Sequence, residues 1–197
     1  MSGLTFDADT HTYRFDGVVV PGVTTILKPL TDFSAVPPHV LDAASAFGTA
    51  VHLACELDDL GTLDQDQLDP ALKPYLDAWR KFSAEHAVQW QQIEQRVYHP
   101  AMRYAGTLDR FGLVDGDLTV VDIKSSVQLY PSVGPQLAAY ANALKHPYAK
   151  RMAVQLKADG TYVAKPYTDP SDWPMFASLL TMRTWCARHS ITPNFKD

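Results

Sequence analysis

Between Gly106 and Lys124 the chain reads Gly-Thr-Leu-Asp-Arg-Phe-Gly-Leu-Val-Asp-Gly-Asp-Leu-Thr-Val-Val-Asp-Ile-Lys, two apolar runs joined at Asp115-Gly116. Glycine accepts the positive φ of a tight turn, so an Asp-Gly step between such runs predicts a β-hairpin. Successive side chains of a strand point to opposite faces. That parity puts Leu118, Val120, Asp122 and Lys124 on one face of the second strand, and Thr119, Val121 and Ile123 on the other. An acid and an amine therefore emerge together. Folding back at the turn brings Asp109 alongside the Asp122 end of the partner strand, with the register left open. Two carboxylates that close repel unless one is protonated or a cation lies between them. A lysine beside them softens the repulsion and offers a point charge to a phosphate oxygen or an attacking water. The competing reading is a solvated strand edge.

Around this hairpin, strand and helix signals alternate. Thr10 to Val20 reads as short strands turning at Asp16-Gly17, and Pro21-Gly22 leads to a helix start at Thr24 to Leu27. Pro37-Pro38 opens a helix from about His39 to Leu57, and Asp69-Pro70 opens another from about Ala71 to His86, with Leu72, Leu76, Trp79 and Phe82 on one face. Gln89 to Pro100 reads as a strand into the hairpin. A helix follows over Gly134 to Leu144, then a second hairpin, Met152 to Leu156 and Tyr162 to Tyr167, around Ala158-Asp159-Gly160. A last helix spans Ser171 to Arg188, with Trp173, Phe176, Leu180 and Trp185 apolar. Without repeats or low-complexity tracts, one α/β domain over 1–197 is the economical expectation.

A length of 197 residues suits one domain with a sizeable core. No run approaches the ~20 apolar residues of a spanning helix, and the first residues lack the basic and apolar regions of a signal peptide. A cytoplasmic protein with no membrane partner is expected. Cys55 and Cys186 stand far apart in apolar helical contexts, so buried free thiols are the default. The net charge of −5 argues against a broad basic face for nucleic acid. Much of the acid, Glu56, Asp58, Asp59, Asp64, Asp66 and Asp69, sits in a stretch read as loop. Local basic groups are Arg103 and Arg110 near the hairpin, and Lys145, Lys150 and Arg151 beyond the following helix.

Gly106-Thr107-Leu108-Asp109, followed after the hairpin by Asp122-Ile123-Lys124, resembles the pattern of the PD-(D/E)xK nuclease superfamily, in its RecB-like and phage exonuclease branch. Three further motifs agree in chain order. Gly48-Thr49-Ala50-Val51-His52 resembles the upstream Gly-x-x-x-His helix motif, Glu94 an acidic position ahead of the Gly-x-x-Asp strand, and Gln136-Leu137-Ala138-Ala139-Tyr140 the downstream Gln-x-x-x-Tyr helix motif. The resemblance runs from about His11 to about Tyr167. It implies a restriction-endonuclease-like core, a mixed central β-sheet flanked by helices. It also implies two ions of Mg²⁺ or Mn²⁺ held by His52, Asp109, Asp122 and the backbone carbonyl of Ile123. Lys124 would orient or deprotonate the attacking water, with Glu94 a further catalytic acid. Gln136, Tyr140 and Arg110 would meet the substrate. Hard divalent cations prefer oxygen ligands, and an imidazole makes Mn²⁺ more acceptable. Two cysteines are too few for the iron-sulfur cluster of the CRISPR-associated relatives, which needs about four thiolates.

Each supporting residue has a plainer reading beside this one. His52 follows the helically spaced Leu41, Ala44, Phe47, Val51 and Cys55, and as such simply packs beside the core. Gln136 and Tyr140 share a helix face opposite Leu137, Ala141 and Leu144, and either bond to each other or contact DNA. Glu94 reads equally as surface charge. The function that follows is a metal-dependent DNA exonuclease acting on linear ends, phage- or prophage-encoded, serving recombination or end processing in a bacterial host cytoplasm. Its partners would be DNA, a single-strand annealing protein and further copies of itself in an oligomer. Alternatives are a structure-selective endonuclease acting on flaps or branches, and a non-catalytic DNA-binding module on a nuclease fold. The geometric expectation is that His52, Asp109, Asp122 and Lys124 converge on one cavity.

Overall fold

The computed structural model describes residues 3–192, so the ends of the 1–197 reading lie outside the described residues. The Asp115-Gly116 step forms the expected turn, both residues having positive φ, 52° and 84°. It joins β5 (Tyr104–Val114) to β6 (Asp117–Lys124), paired antiparallel from Val114↔Asp117 to Arg110↔Val121. With β4 (Gln89–His99), β7 (Lys150–Leu156) and β8 (Tyr162–Pro166) they form a five-stranded sheet in the order β4-β5-β6-β7-β8. All its pairings are antiparallel except β6 with β7. A parallel pair needs a crossover, which is α4 (Val133–Ala143).

Strand parity holds in β6. Val120 buries in a cluster with α1 (Val23–Leu27), α4 and α5 (Asp172–Arg188), while Val121 and Ile123 bury on the opposite face with α2 (Pro38–Asp59) and α3 (Lys73–Glu85). The chain is thus mixed α/β, with helices on both faces of a central mixed sheet. A second sheet, β1 (Leu4–Asp7), β2 (Thr12–Phe15) and β3 (Val18–Val20), packs Tyr13 and Val20 against Ala105 of β5. Its first strand went unseen in the sequence because Leu-Thr-Phe-Asp is too short to establish a period.

The helices correct several readings. From Pro38 to Ala46 α2 is largely exposed, Ala44 included, and only its second half buries Val51, Ala54 and Cys55. Among the described residues α2 alone is long and apolar enough to cross a membrane by length and composition, where the sequence reading saw no such run. That reading counted unbroken apolar residues, and α2 is broken by Asp42, Ser45, Thr49 and His52. In α5 the buried stripe is Phe176, Leu179, Leu180 and Cys186, whereas Trp185 is exposed. α4 has no polar face in the usual sense: nine of its residues are buried, Tyr140 among them. Such a helix belongs inside a fold. Cys55 and Cys186 are buried free thiols, as expected.

Candidate metal centre

The site is built where the β5–β6 ladder stops. Pairing ends at Arg110↔Val121, three residues before the end of β6, so β5 leaves the peptide groups of Ile123 on that side unclaimed. A strand's backbone groups must find partners when buried. Here the partners are functional side chains: Ile123 N–H donates to Asp109 Oδ2 at 2.6 Å, and His52 Nε2 donates to the Ile123 carbonyl at 2.9 Å. One peptide thereby fixes an acid from β5 and an imidazole from α2. The second bond also selects the tautomer, leaving His52 Nδ1 to face the acids.

β5 changes phase at this point. Leu108 and Phe111, three residues apart, bury in one cluster, and the β4–β5 ladder omits the pair Glu94 and Asp109. Glu94 has φ +47°, a conformation unusual for a side chain of its size. The irregularity aims both carboxylates at His52, whose Nδ1 lies 3.6 Å from Asp109 Oδ2 and 3.9 Å from Glu94 Oε1. One ligand atom from each of His52, Glu94 and Asp109 lies within 4.8 Å of the others. These three could hold a metal ion. They line the wall of a cleft of about 490 Å³.

Asp122 and Lys124 stand beside this group rather than in it. Asp122 is 1% exposed, and Lys124 Nζ lies 3.0 and 2.8 Å from its two oxygens. Gln136 Nε2 donates to Oδ1 at 2.8 Å, while Oδ2 accepts no further hydrogen bond. The Gln136 amide therefore orients a carboxylate rather than reaching into the cleft. Burial pushes the Asp122 carboxyl up, Lys124 opposes this, and Asp109 adds to it. Burial acts to lower the Lys124 amine, but Asp122 and Asp109 outweigh it and raise it. In that state Lys124 donates hydrogen bonds to Asp122. Burial likewise acts to lower His52, but Asp109 and Glu94 hold it up at about 9. The two carboxylates and the imidazole of His52, Glu94 and Asp109 could hold a divalent cation, and the donors are the hard oxygens and imidazole nitrogen that Mg²⁺ and Mn²⁺ take.

Arg110 corrects the sequence reading most clearly. It is fully buried, with Nε donating to Asp59 Oδ2 at 2.7 Å and Nη1 to Glu94 Oε1 at 3.0 Å and to the Asp109 carbonyl at 2.7 Å. Its guanidinium lies over the Trp79 ring, and Trp79 Nε1 donates to Asp59 at 3.1 Å. A side chain so engaged cannot meet a phosphate. It positions Glu94 instead. Asp59, which completes this chain of contacts, was read as part of an acidic loop; it ends α2, seven residues after His52 and so on the same helical face. Asp58 of that stretch pairs with Arg80. Lys150 and Arg151 are likewise committed, to Asp117 and Asp172.

Two glycines differ in kind. At Gly106 a Cβ would lie 2.7 Å from the Tyr140 ring and 3.1 Å from Val23, so glycine is required where α4 closes against β5. At Gly48 a Cβ would meet only Ser125 Oγ, at 3.5 Å. No backbone approaches Gly48 closely enough to require glycine there. Tyr140 is buried and lines the cleft, and Thr24, Ser45, Thr49 and Thr107 are among its other lining residues.

No family model matches this chain, and no curated protein does. Among solved structures it is similar to SSO0001, with 16% identity and a TM-score of 0.35 over 74% of this chain and 80% of that one. It is also similar to LHK-Exo in complex with dAMP, with 14% identity and a TM-score of 0.36 over 71% and 78%. At such scores neither likeness carries an inference about this chain.

Proposed function

We propose that this protein is a divalent-metal-dependent nuclease that hydrolyses DNA phosphodiesters, working as an exonuclease on linear ends. The observation that supports it is the cluster of His52, Glu94 and Asp109 on a cleft wall, tied through the Ile123 peptide to Asp122 and Lys124. Mg²⁺ or Mn²⁺ held by His52 Nδ1 and the two carboxylates supplies Lewis acidity toward a phosphate oxygen and lowers the pKa of water. Arg110 and Ile123 hold those ligands in place. Lys124 donates toward a water or a developing negative charge, and Asp122, gripped by Gln136, keeps that amine charged and oriented. The choice of exonuclease, the host cytoplasm, and a role in phage or prophage recombination with an annealing partner rest on the motif resemblance.

Linear duplex, single-stranded and covalently closed circular DNA, each incubated with Mg²⁺ and with Mn²⁺, test the assignment. Release of mononucleotides from linear DNA, with the circle intact, is the expected result. Cleavage of the circle would replace the exonuclease by an endonuclease. No cleavage by folded protein in either metal would leave a binding module.

A further inference from the structure

The cleft has a second wall that the chemistry above does not use. Beside the ligand group's residues, the small sheet contributes Phe6, His11 and Tyr13 to the lining. Phe6 and His11 meet edge to face with ring centroids 5.1 Å apart, and Phe6 and Tyr13 lie at 4.5 Å. The Arg96 guanidinium covers Phe6 at 5.5 Å from its centroid, and Tyr13 is tied to Thr107 by a 2.9 Å hydroxyl contact. These bonds hold the aromatic wall to β4 and β5, the strands that carry Glu94 and Asp109. His11 is exposed at the tip between β1 and β2, with φ +48°. One cavity is therefore lined by acids and an imidazole, by serine and threonine residues, and by aromatic rings.

Those kinds of surface in one cavity match the parts of one nucleotide, a phosphate for a metal bound by acids and imidazole and a base for the aromatic rings. We propose that the cleft is a subsite for a single unpaired nucleotide, whose base packs on the His11–Phe6 wall while its phosphate lies at His52, Glu94 and Asp109. This rests on the nuclease reading and adds the substrate class to it. A cleft of about 490 Å³ is of the size that encloses one small ligand, so a base must leave its stack to enter. Stacking on an aromatic side chain repays that in any sequence, because every base has a π-face. It also lets a chain of net charge −5 hold nucleic acid without a long basic track. The preferred substrates are thus single strands and frayed ends.

The test is binding of a deoxynucleoside 5′-monophosphate against deoxyribose 5-phosphate, by calorimetry on the Mn²⁺-loaded full chain, beside the cleavage assay. The nucleotide is expected to bind about tenfold more tightly, the size of one base–aromatic stack. His11→Asn keeps a residue that tolerates the left-handed backbone but removes the ring, and is expected to erase most of that ratio while leaving sugar phosphate affinity unchanged. Phe6→Leu, which keeps apolar volume, is expected to act in the same direction. Equal affinities for the two ligands, binding of neither, or an unchanged ratio in His11→Asn would overturn the subsite, whether or not DNA is cut. A His11-dependent ratio without any cleavage would keep the subsite and remove the nuclease reading.

Discussion

Asp109, midway along β5, and Asp122, near the end of the adjacent β6, live in different circumstances. Asp109 lines a cleft with His52 Nδ1 3.6 Å from its Oδ2, and the same nitrogen lies 3.9 Å from Glu94, a grouping that could hold a metal ion. Asp122 is sealed from solvent, already matched by a lysine and an amide. The same residue type thus stands once in a group that could hold a metal ion and once in a pair with a lysine. The difference arises from the ladder: β5 leaves β6 at Asp109, freeing backbone on one side, while β6 continues beside β7 through Lys124 on the other.

The strongest way to break this contrast is to neutralise each acid in turn. Asp109→Asn is expected to abolish Mn²⁺ binding and lower cleavage by at least about 10³-fold, with thermal stability nearly unchanged. Asp122→Asn leaves Lys124 without its partner, and is expected to destabilise the fold by about 3–5 kcal/mol as well as slowing cleavage. Paired melting curves and metal titrations check both. A melting loss confined to Asp109→Asn would invert the account.

Arg110→Ala sharpens the contrast from the far side of Glu94. It leaves the half-buried Glu94 and Asp59 without this counter-charge and empties a fully buried site, so a metal affinity lower by about 10–100-fold is expected, together with about 3–5 kcal/mol of lost stability. Arg110→Lys restores charge but not the fork that reaches both acids, and should recover only part of the affinity. An affinity unmoved by either change, measured by Mn²⁺ titration, would reduce Arg110 to a packing residue.

A smaller effect follows from His52. Its folded value of about 9 lies above the ordinary 6.5. The stabilisation it brings to the metal-free protein is therefore complete below about pH 6.5 and is lost as pH rises through about 9. Metal binding runs the other way, because Nδ1 must shed its proton to ligate, so apparent Mn²⁺ affinity should rise roughly tenfold per pH unit across that window. Affinity independent of pH from 6.5 to 9 would contradict the role of Nδ1. Smallest of all, Gly48→Ala should be neutral or stabilise by about 0.5–1 kcal/mol, as alanine in a helix with room for its methyl, whereas Gly106→Ala should destabilise. Chemical denaturation distinguishes the two.

Much of this was legible before any coordinates. The hairpin, its turn, the parity of Asp122 and Lys124, and the approach of Asp109 all follow from period-2 patterning and one Asp-Gly step. What patterning cannot carry is an interruption of itself. The phase change at Asp109 and the positive φ of Glu94 leave no mark in composition, and they decide which acids meet the histidine. Arg110 misled for a related reason: a charged residue between Asp109 and Phe111 reads as surface, and only the distant Asp59 and Trp79 make it a core residue. The aromatic wall of β1 and β2 lay outside every motif.

The central claim is that His52, Glu94 and Asp109 share one divalent ion. Anomalous diffraction from crystals soaked in Mn²⁺ tests it most directly. The account predicts a peak about 2.1 Å from His52 Nδ1 and from an oxygen of each carboxylate. A peak elsewhere, or none at saturating Mn²⁺, would contradict it.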